Sequence, residues 1–302
     1  MLKRLLPLPA LLVPALLLAG LLPLTHTQAG EDYIDDGSIV SDIEREATTL
    51  IQTEATVDNA ELQTQLRRRT AALDAPAEGV LVEADEDGQG VYERAADGVL
   101  VVSGLYLCGN CDNYHANCAS GFIISEDGLA VTNHHVVENA DNLTMVARTH
   151  DGRVVPIVEV LAANAQDDVA LVRLSPEHGP YTALPIARDA EVGERVHAIT
   201  HPDGRFYCYT SGEVSRFFLE PRRRGAGTRR MQITADYAKG SSGGPILNDQ
   251  GQVVGMVTST TSVYYNERNG RQEDLQMVFN NCVPYESILD LFAGAEVDDE
   301  SP

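Results

Sequence analysis

Positive charge is what this chain has least of. Lys and Arg number 22 against 45 Asp and Glu, a formal net charge of −23 over 302 residues. Such a surface repels nucleic acid and anionic membranes, which excludes a nucleic-acid partner. There is no tryptophan, yet hydrophobic residues make up 43%. That is the ordinary share of a packed globule and excludes wholesale disorder. No internal repeat is evident. Cysteine is sparse and odd in number, at 108, 111, 118, 208 and 282. At least one thiol must therefore stay unpaired or bond to another chain.

The first residues stand apart from the rest. Lys3 and Arg4 precede an uncharged run, Leu5 to Leu24, and Thr27-Gln28-Ala29 supplies small residues before a cleavage site. Residues 1–29 read as a signal peptide, so the chain is expected to be exported, to a periplasm or outside the cell. The competing reading is an uncleaved anchor, but Pro7, Pro9, Pro14 and Pro23 suit a spanning helix poorly. No cysteine follows the apolar run, so a lipid anchor is not expected, nor any stable membrane anchor. Residues 30–90 are read as an acidic, partly helical extension and linker. Between Glu31 and Leu100 stand 18 acidic residues and 5 Arg. Ile43, Ala47, Leu50, Ile51 and Ala55 fall at helical spacings, and 75–90 is rich in Pro, Gly and acid. This predicts a helical extension joined loosely to the remainder of the chain. Residues 294–302 read as an acidic tail.

From Val91 the texture changes. Short β-branched or apolar runs such as Val99–Leu107, Val169–Leu174 and Arg195–Thr200 alternate with Gly, Asp and Asn turns. Two sets of about six such runs predict an all-β sandwich or barrel in two lobes. A stretch from Pro284 to Phe292 predicts a short C-terminal helix started by proline.

Three motifs succeed one another along this region: Thr132-Asn133-His134-His135-Val136-Val137, Asp167-Asp168-Val169-Ala170-Leu171-Val172, and Lys239-Gly240-Ser241-Ser242-Gly243-Gly244-Pro245. A serine hydroxyl is a weak nucleophile at neutral pH and needs a base, most often His, to take its proton. The imidazole in turn needs a carboxylate to fix its tautomer. A tetrahedral intermediate needs N–H donors aimed at its oxyanion, and the glycines around Ser242 suit such a turn at Gly240 and Ser242. Each motif alone has a plainer reading: a flexible turn, a core histidine, a turn-capping aspartate. Together, in the order His, Asp, Ser, they are specific.

These motifs, with Ser120-Gly121-Phe122-Ile123-Ile124 and Thr210-Ser211-Gly212-Glu213-Val214-Ser215, resemble trypsin-like serine proteases of the HtrA type over about 91–292. The resemblance implies an all-β chymotrypsin-like fold of two six-stranded β-barrels at about 91–185 and 186–293, with a helical N-terminal extension and a short C-terminal helix. It implies a serine endopeptidase acting on proteins or peptides through an acyl-enzyme. The triad would be His135, Asp168 and Ser242, the oxyanion donors Gly240 and Ser242, and no cofactor would be needed. A protease-fold peptide binder with chaperone-like action, or an esterase using the same triad, is the alternative. Two departures stand out. Ten residues follow Phe292, too few for the peptide-binding PDZ domain such proteases carry. Position 241 is Ser where digestive trypsins have Asp, so activation by a new N-terminus is not expected.

The resemblance also places Asp236, Thr258, Thr260 and Met277 at the substrate pocket. An acid at 236 would favour Arg or Lys, whereas Thr260 and Met277 would narrow the pocket toward small or medium apolar residues, the favoured expectation. Cys108, Cys111, His115 and Cys118 lie within eleven residues. They read as a disulfide in an oxidising compartment, with a zinc clip as alternative and free thiols as a third reading. Pro221 to Arg224 with Arg229 and Arg230 is a basic island, either solvated or docked on the acidic extension.

Overall fold

A computed structural model of the chain describes residues 33–73, 90–222, 225–268 and 270–292. The signal peptide, most of the linker, the acidic tail, and Arg223 and Arg224 of the basic island lie outside the described residues.

Two helices open the fold, α1 (Asp36–Gln52) and α2 (Asn59–Arg68). Asp35 caps α1 by accepting the Ser38 amide at 3.1 Å, and Asp58 caps α2 by accepting the Ala60 amide at 2.7 Å. The predicted helical stretch is therefore split by the turn at 53–58, and Ala55 is exposed between the two helices.

After α3 (Val91–Ala95), six strands form the first sheet: β1 (Val99–Leu107), β2 (Tyr114–Ile123), β3 (Leu129–Thr132), β4 (Thr144–Arg148), β5 (Val154–Asn164) and β6 (Val169–Leu174). Between β3 and β4 lies a single helical turn, α4 (His134–Val137). The antiparallel order β1-β2-β3-β6-β5-β4 closes into a barrel. The second sheet holds β7 (Arg195–Thr200), β8 (Cys208–Glu220), β9 (Thr228–Ile233), β10 (Pro245–Leu247), β11 (Val253–Arg268) and β12 (Arg271–Pro284), and after it comes α5 (Tyr285–Leu289).

The expectation of two plain six-stranded barrels in an all-β chain is corrected in two respects. The second sheet is not a simple barrel. Its order, β10-β11-β12-β9-β8-β7, returns on itself. However, β12 meets β9 only at Asn280, Asn281 and Cys282, while β11 and β12 run on, paired with each other, to Arg268 and Arg271. The outer halves of these strands form a two-stranded ribbon. Its residues are largely exposed, Val263, Tyr265, Leu275 and Met277 among them, and so do not close around a core.

The second correction concerns the helices. Far from being loosely joined, α1 contributes Ile39, Ile43 and Ala47 to the same buried cluster as Val99, Val101 and Phe122, which also takes in Tyr285 and Ile288 of α5. Spaced by four, these residues make one apolar stripe. On α2, Leu62 and Leu66 pack with Leu100 and Val102 on the other face of β1. Burial on both faces is why β1 begins as the continuous apolar run Val-Leu-Val-Val. At the end of this segment the Leu73 amide donates to the Leu291 carbonyl at 2.7 Å. In the basic island, Arg229 pairs with Asp290, and Arg230 with Glu220 at 3.2 Å. Neither partner belongs to the acidic extension.

Candidate active site

His135 and Asp168 meet where α4 faces the start of β6. The Asp168 backbone lies at φ +63°, in the left-handed region that Asp tolerates better than most residues. Its carboxylate reaches the His135 amide at 3.1 Å and the ring Nδ1 at 2.9 and 3.0 Å. Asn133 Nδ2 donates to the Asp168 carbonyl at 2.9 Å, and the Thr258 hydroxyl donates to the carboxylate at 2.5 Å. Burial works to raise the Asp168 carboxyl, but the hydrogen bonds and charge of His135, helped by Thr258, hold it below the usual carboxylate range. The adjacent candidates turn elsewhere. His134 is buried with Nδ1 3.6 Å from Glu138, and the Asp167 carboxylate accepts from Asn164 Nδ2 at 3.0 Å. The end of α4 is held from outside the barrel, because Gln63 of α2 donates to the Val137 carbonyl.

Ser242 sits in a tight loop before β10. Gly240 has φ +91°, and a Cβ there would come within 2.6 Å of the His201 carbonyl, so glycine is required twice over. The Lys239 carbonyl accepts the Asp203 amide at 2.7 Å, and the Ser241 carbonyl accepts the Gly244 amide at 2.9 Å. In a planar trans peptide the N–H points opposite to the C=O, so the Gly240 and Ser242 amides are turned away from those partners. The Ser241 hydroxyl is buried and donates to Thr200 Oγ1 at 3.0 Å, a neutral bond.

Ser120 of β2 joins the two halves. Its amide donates to the Ser242 carbonyl at 2.8 Å, its hydroxyl donates to the Gly240 carbonyl at 3.0 Å, and the His201 amide donates to that hydroxyl at 3.2 Å. The His201 ring accepts the Tyr207 amide at Nδ1, 3.0 Å, so its proton sits on Nε2 and is donated to the Leu100 carbonyl, also at 3.0 Å. Burial lowers this imidazole to about 4 and keeps it neutral. Sequence reasoning gave no role to Ser120, Gln63 or His201. Their side chains act on groups 74 to 120 residues away, and no local spacing reports that.

His135, Ser242, Gly240 and Lys239 line one cleft of about 610 Å³, together with Cys118 from β2. Asp236 and Met277 line a separate cavity of about 330 Å³ beside Phe279 and Asn280. Thr260 is exposed and lines neither cavity. Thr258 is committed to Asp168 through its hydroxyl.

All five cysteines are free thiols. Cys108 and Cys111 lie with His115 at the turn between β1 and β2, whereas Cys118 is drawn away along β2, its Sγ 3.4 Å from Ser103 Oγ. The Asn110 backbone amide is the main cause that pulls the Cys108 thiol down to about 7. Burial instead pushes the Cys282 thiol up to about 12. Among the described residues no helix is long and apolar enough to cross a membrane.

Residues 119–256 match the model of the trypsin-like peptidase domain. The chain is 36% identical over 137 residues to a Halomonas elongata protein described as "Probable periplasmic serine endoprotease DegP-like", covering 45% of this chain and 28% of that one. Proteins described in the same words from Chlamydia trachomatis and Brucella suis are 32% identical over 143 residues and 35% over 147, each match covering 47% of this chain and 28% of the relative. The chain therefore spans less than a third of the length of these curated relatives. The matched region, which carries His135, Asp168 and Ser242, is thus similar to a trypsin-like serine-protease domain and homologous to the DegP-like proteins.

Proposed function

We infer that the chain is a serine endopeptidase whose triad is His135, Asp168 and Ser242. The observation that carries this reading is the Asp168 carboxylate on Nδ1 of His135, at 2.9 Å, facing the cleft that Ser242 also lines. With Nδ1 engaged, Nε2 is the ring nitrogen left to take a proton. Ser242 Oγ attacks the scissile carbonyl carbon as His135 Nε2 accepts the hydroxyl proton. The imidazolium, stabilised by Asp168, gives that proton to the leaving amine as the C–N bond breaks. Water then repeats the cycle on the ester and releases the acid. The Gly240 and Ser242 amides are the oxyanion donors, and the orientation of their peptide groups supports this. The Ser241 hydroxyl carries no charge, in keeping with a loop that needs no ion pair to form. No cofactor enters this chemistry.

The substrates are proteins or peptides, and the chain is exported, as the periplasmic description of its relatives and the reading of residues 1–29 suggest. Small to medium apolar residues before the scissile bond are the favoured substrates. The test is a serine-directed fluorophosphonate. It should label the folded protein at Ser242 alone, and His135→Ala should suppress the labelling. Labelling elsewhere, or none at Ser242, contradicts the assignment. Peptide and simple ester substrates assayed side by side separate an endopeptidase from an esterase.

A further inference from the structure

The turn between β1 and β2 brings together three side chains that the peptidase chemistry does not use. Gly109, at φ +74°, lets the chain reverse between Cys108 and Cys111, so that their sulfurs face each other at 3.5 Å. His115, at the start of β2, brings Nε2 to 3.2 Å from the Cys111 sulfur. The three ligand atoms all lie within 4.8 Å of one another. Tetrahedral zinc bonds, about 2.3 Å to sulfur and 2.0–2.1 Å to nitrogen, place neighbouring sulfurs about 3.8 Å apart and a sulfur and a nitrogen about 3.6 Å apart. The two sides that meet at the Cys111 sulfur are a few tenths of an ångström from those figures.

The other face of His115 is also provided for. Its Nδ1 lies 3.5 Å from Glu44 Oε1 on α1, and the same oxygen accepts the Ala116 amide at 3.2 Å. A carboxylate beside Nδ1 favours the proton on that nitrogen and would leave Nε2, which lies against the Cys111 sulfur, as the ligand atom, the arrangement of a metal-binding histidine. Glu44 thus makes α1 part of the shell around the turn.

We propose that Cys108, Cys111 and His115 form a zinc site with one position open to solvent, supported from outside by Glu44. Soft thiolates with an imidazole select zinc over calcium or magnesium. Cys118 is not a ligand, since its sulfur is turned to Ser103. The bound ion clips the β1–β2 turn to α1, at the head of the strand that carries Cys118 into the cleft and Ser120 to the Ser242 loop.

The test uses the full chain, reduced and kept anaerobic, titrated with cobalt(II) as a spectroscopic stand-in for zinc. One equivalent should produce a thiolate-to-cobalt charge-transfer band with strong tetrahedral d–d absorption, and zinc should bleach both. Cys111→Ser should abolish the band while its far-ultraviolet circular dichroism matches wild type. Cys208→Ser should keep the band, and Glu44→Gln should weaken cobalt binding by about tenfold or more. Absence of the band when all five thiols react with a thiol reagent overturns the proposal, as does a band that survives in Cys111→Ser. A Cys108–Cys111 disulfide that forms as readily with zinc present as without it also overturns it.

Discussion

The Ser120 amide donates to the Ser242 carbonyl at 2.8 Å, across the boundary between the two sheets. The Ser120 hydroxyl then donates to the Gly240 carbonyl and accepts the His201 amide. One buried serine of the first barrel therefore holds, through its amide and its hydroxyl, the loop that carries the proposed nucleophile and the proposed oxyanion donors.

Ser120→Ala should separate positioning from packing. It removes a small hydroxyl and leaves the Gly240 carbonyl and His201 amide without it, at a cost of about 1–3 kcal/mol. Stability by urea titration should fall by that amount. Turnover should fall more than KM rises, because the loop is displaced where the oxyanion develops. Unchanged turnover with lowered stability would reduce Ser120 to a packing residue.

His201 predicts a pH dependence of stability. Its folded pKa is lowered to about 4 from an ordinary value near 6.5. Between those values the unfolded chain binds a proton that the folded chain refuses. Its contribution is therefore full above about pH 6.5 and is lost progressively as pH falls toward 4, by about 3 kcal/mol in all. Imidazole NMR should show His201 neutral at pH 5. A titration midpoint near 6.5 would contradict the buried, neutral ring.

The helix α1 should behave as part of the core of the first barrel. Ile43 is fully buried, so Ile43→Ala should cost about 2–5 kcal/mol. Thermal unfolding, measured alongside Ala55→Ser as a surface control, checks it. A loss below about 0.5 kcal/mol in the Ile43 variant would restore the loosely joined extension that the sequence suggested.

Substrate preference depends on which side chain meets the residue before the scissile bond. Asp236 is exposed and lines a cavity away from Ser242. A substrate with Val at that position should be cut better than one with Arg, and Asp236→Asn should change the ratio little. Apolar discrimination should be broad, since a methylene is worth only about 1–3 kcal/mol. A sharp Arg preference that vanishes in the variant would reverse this reading.

The legible parts of this protein are those confined to a few consecutive residues. The motifs around His135, Asp168 and Ser242 that support the proposed triad each lie within a short window. Choosing His135 over His134 and Asp168 over Asp167 rested on family register, not on anything local to either pair. What stayed hidden is relational. The stripe of Ile43 and Ala47 announces a buried face but not what it is buried against. Apolar residues at Val263, Tyr265, Leu275 and Met277 mark strand, but nothing in their spacing says that they stay exposed on a two-stranded ribbon instead of closing a barrel. Thr258 carries no local sign that its hydroxyl turns to Asp168.

The most direct test of the central claim is the rate of peptide hydrolysis by Ser242→Ala, beside His135→Ala and His134→Ala. The account predicts losses on the order of 10⁴ or more for the first two with the fold intact, and little change for His134→Ala. A folded Ser242→Ala protein that keeps more than about a tenth of the wild-type rate would contradict it.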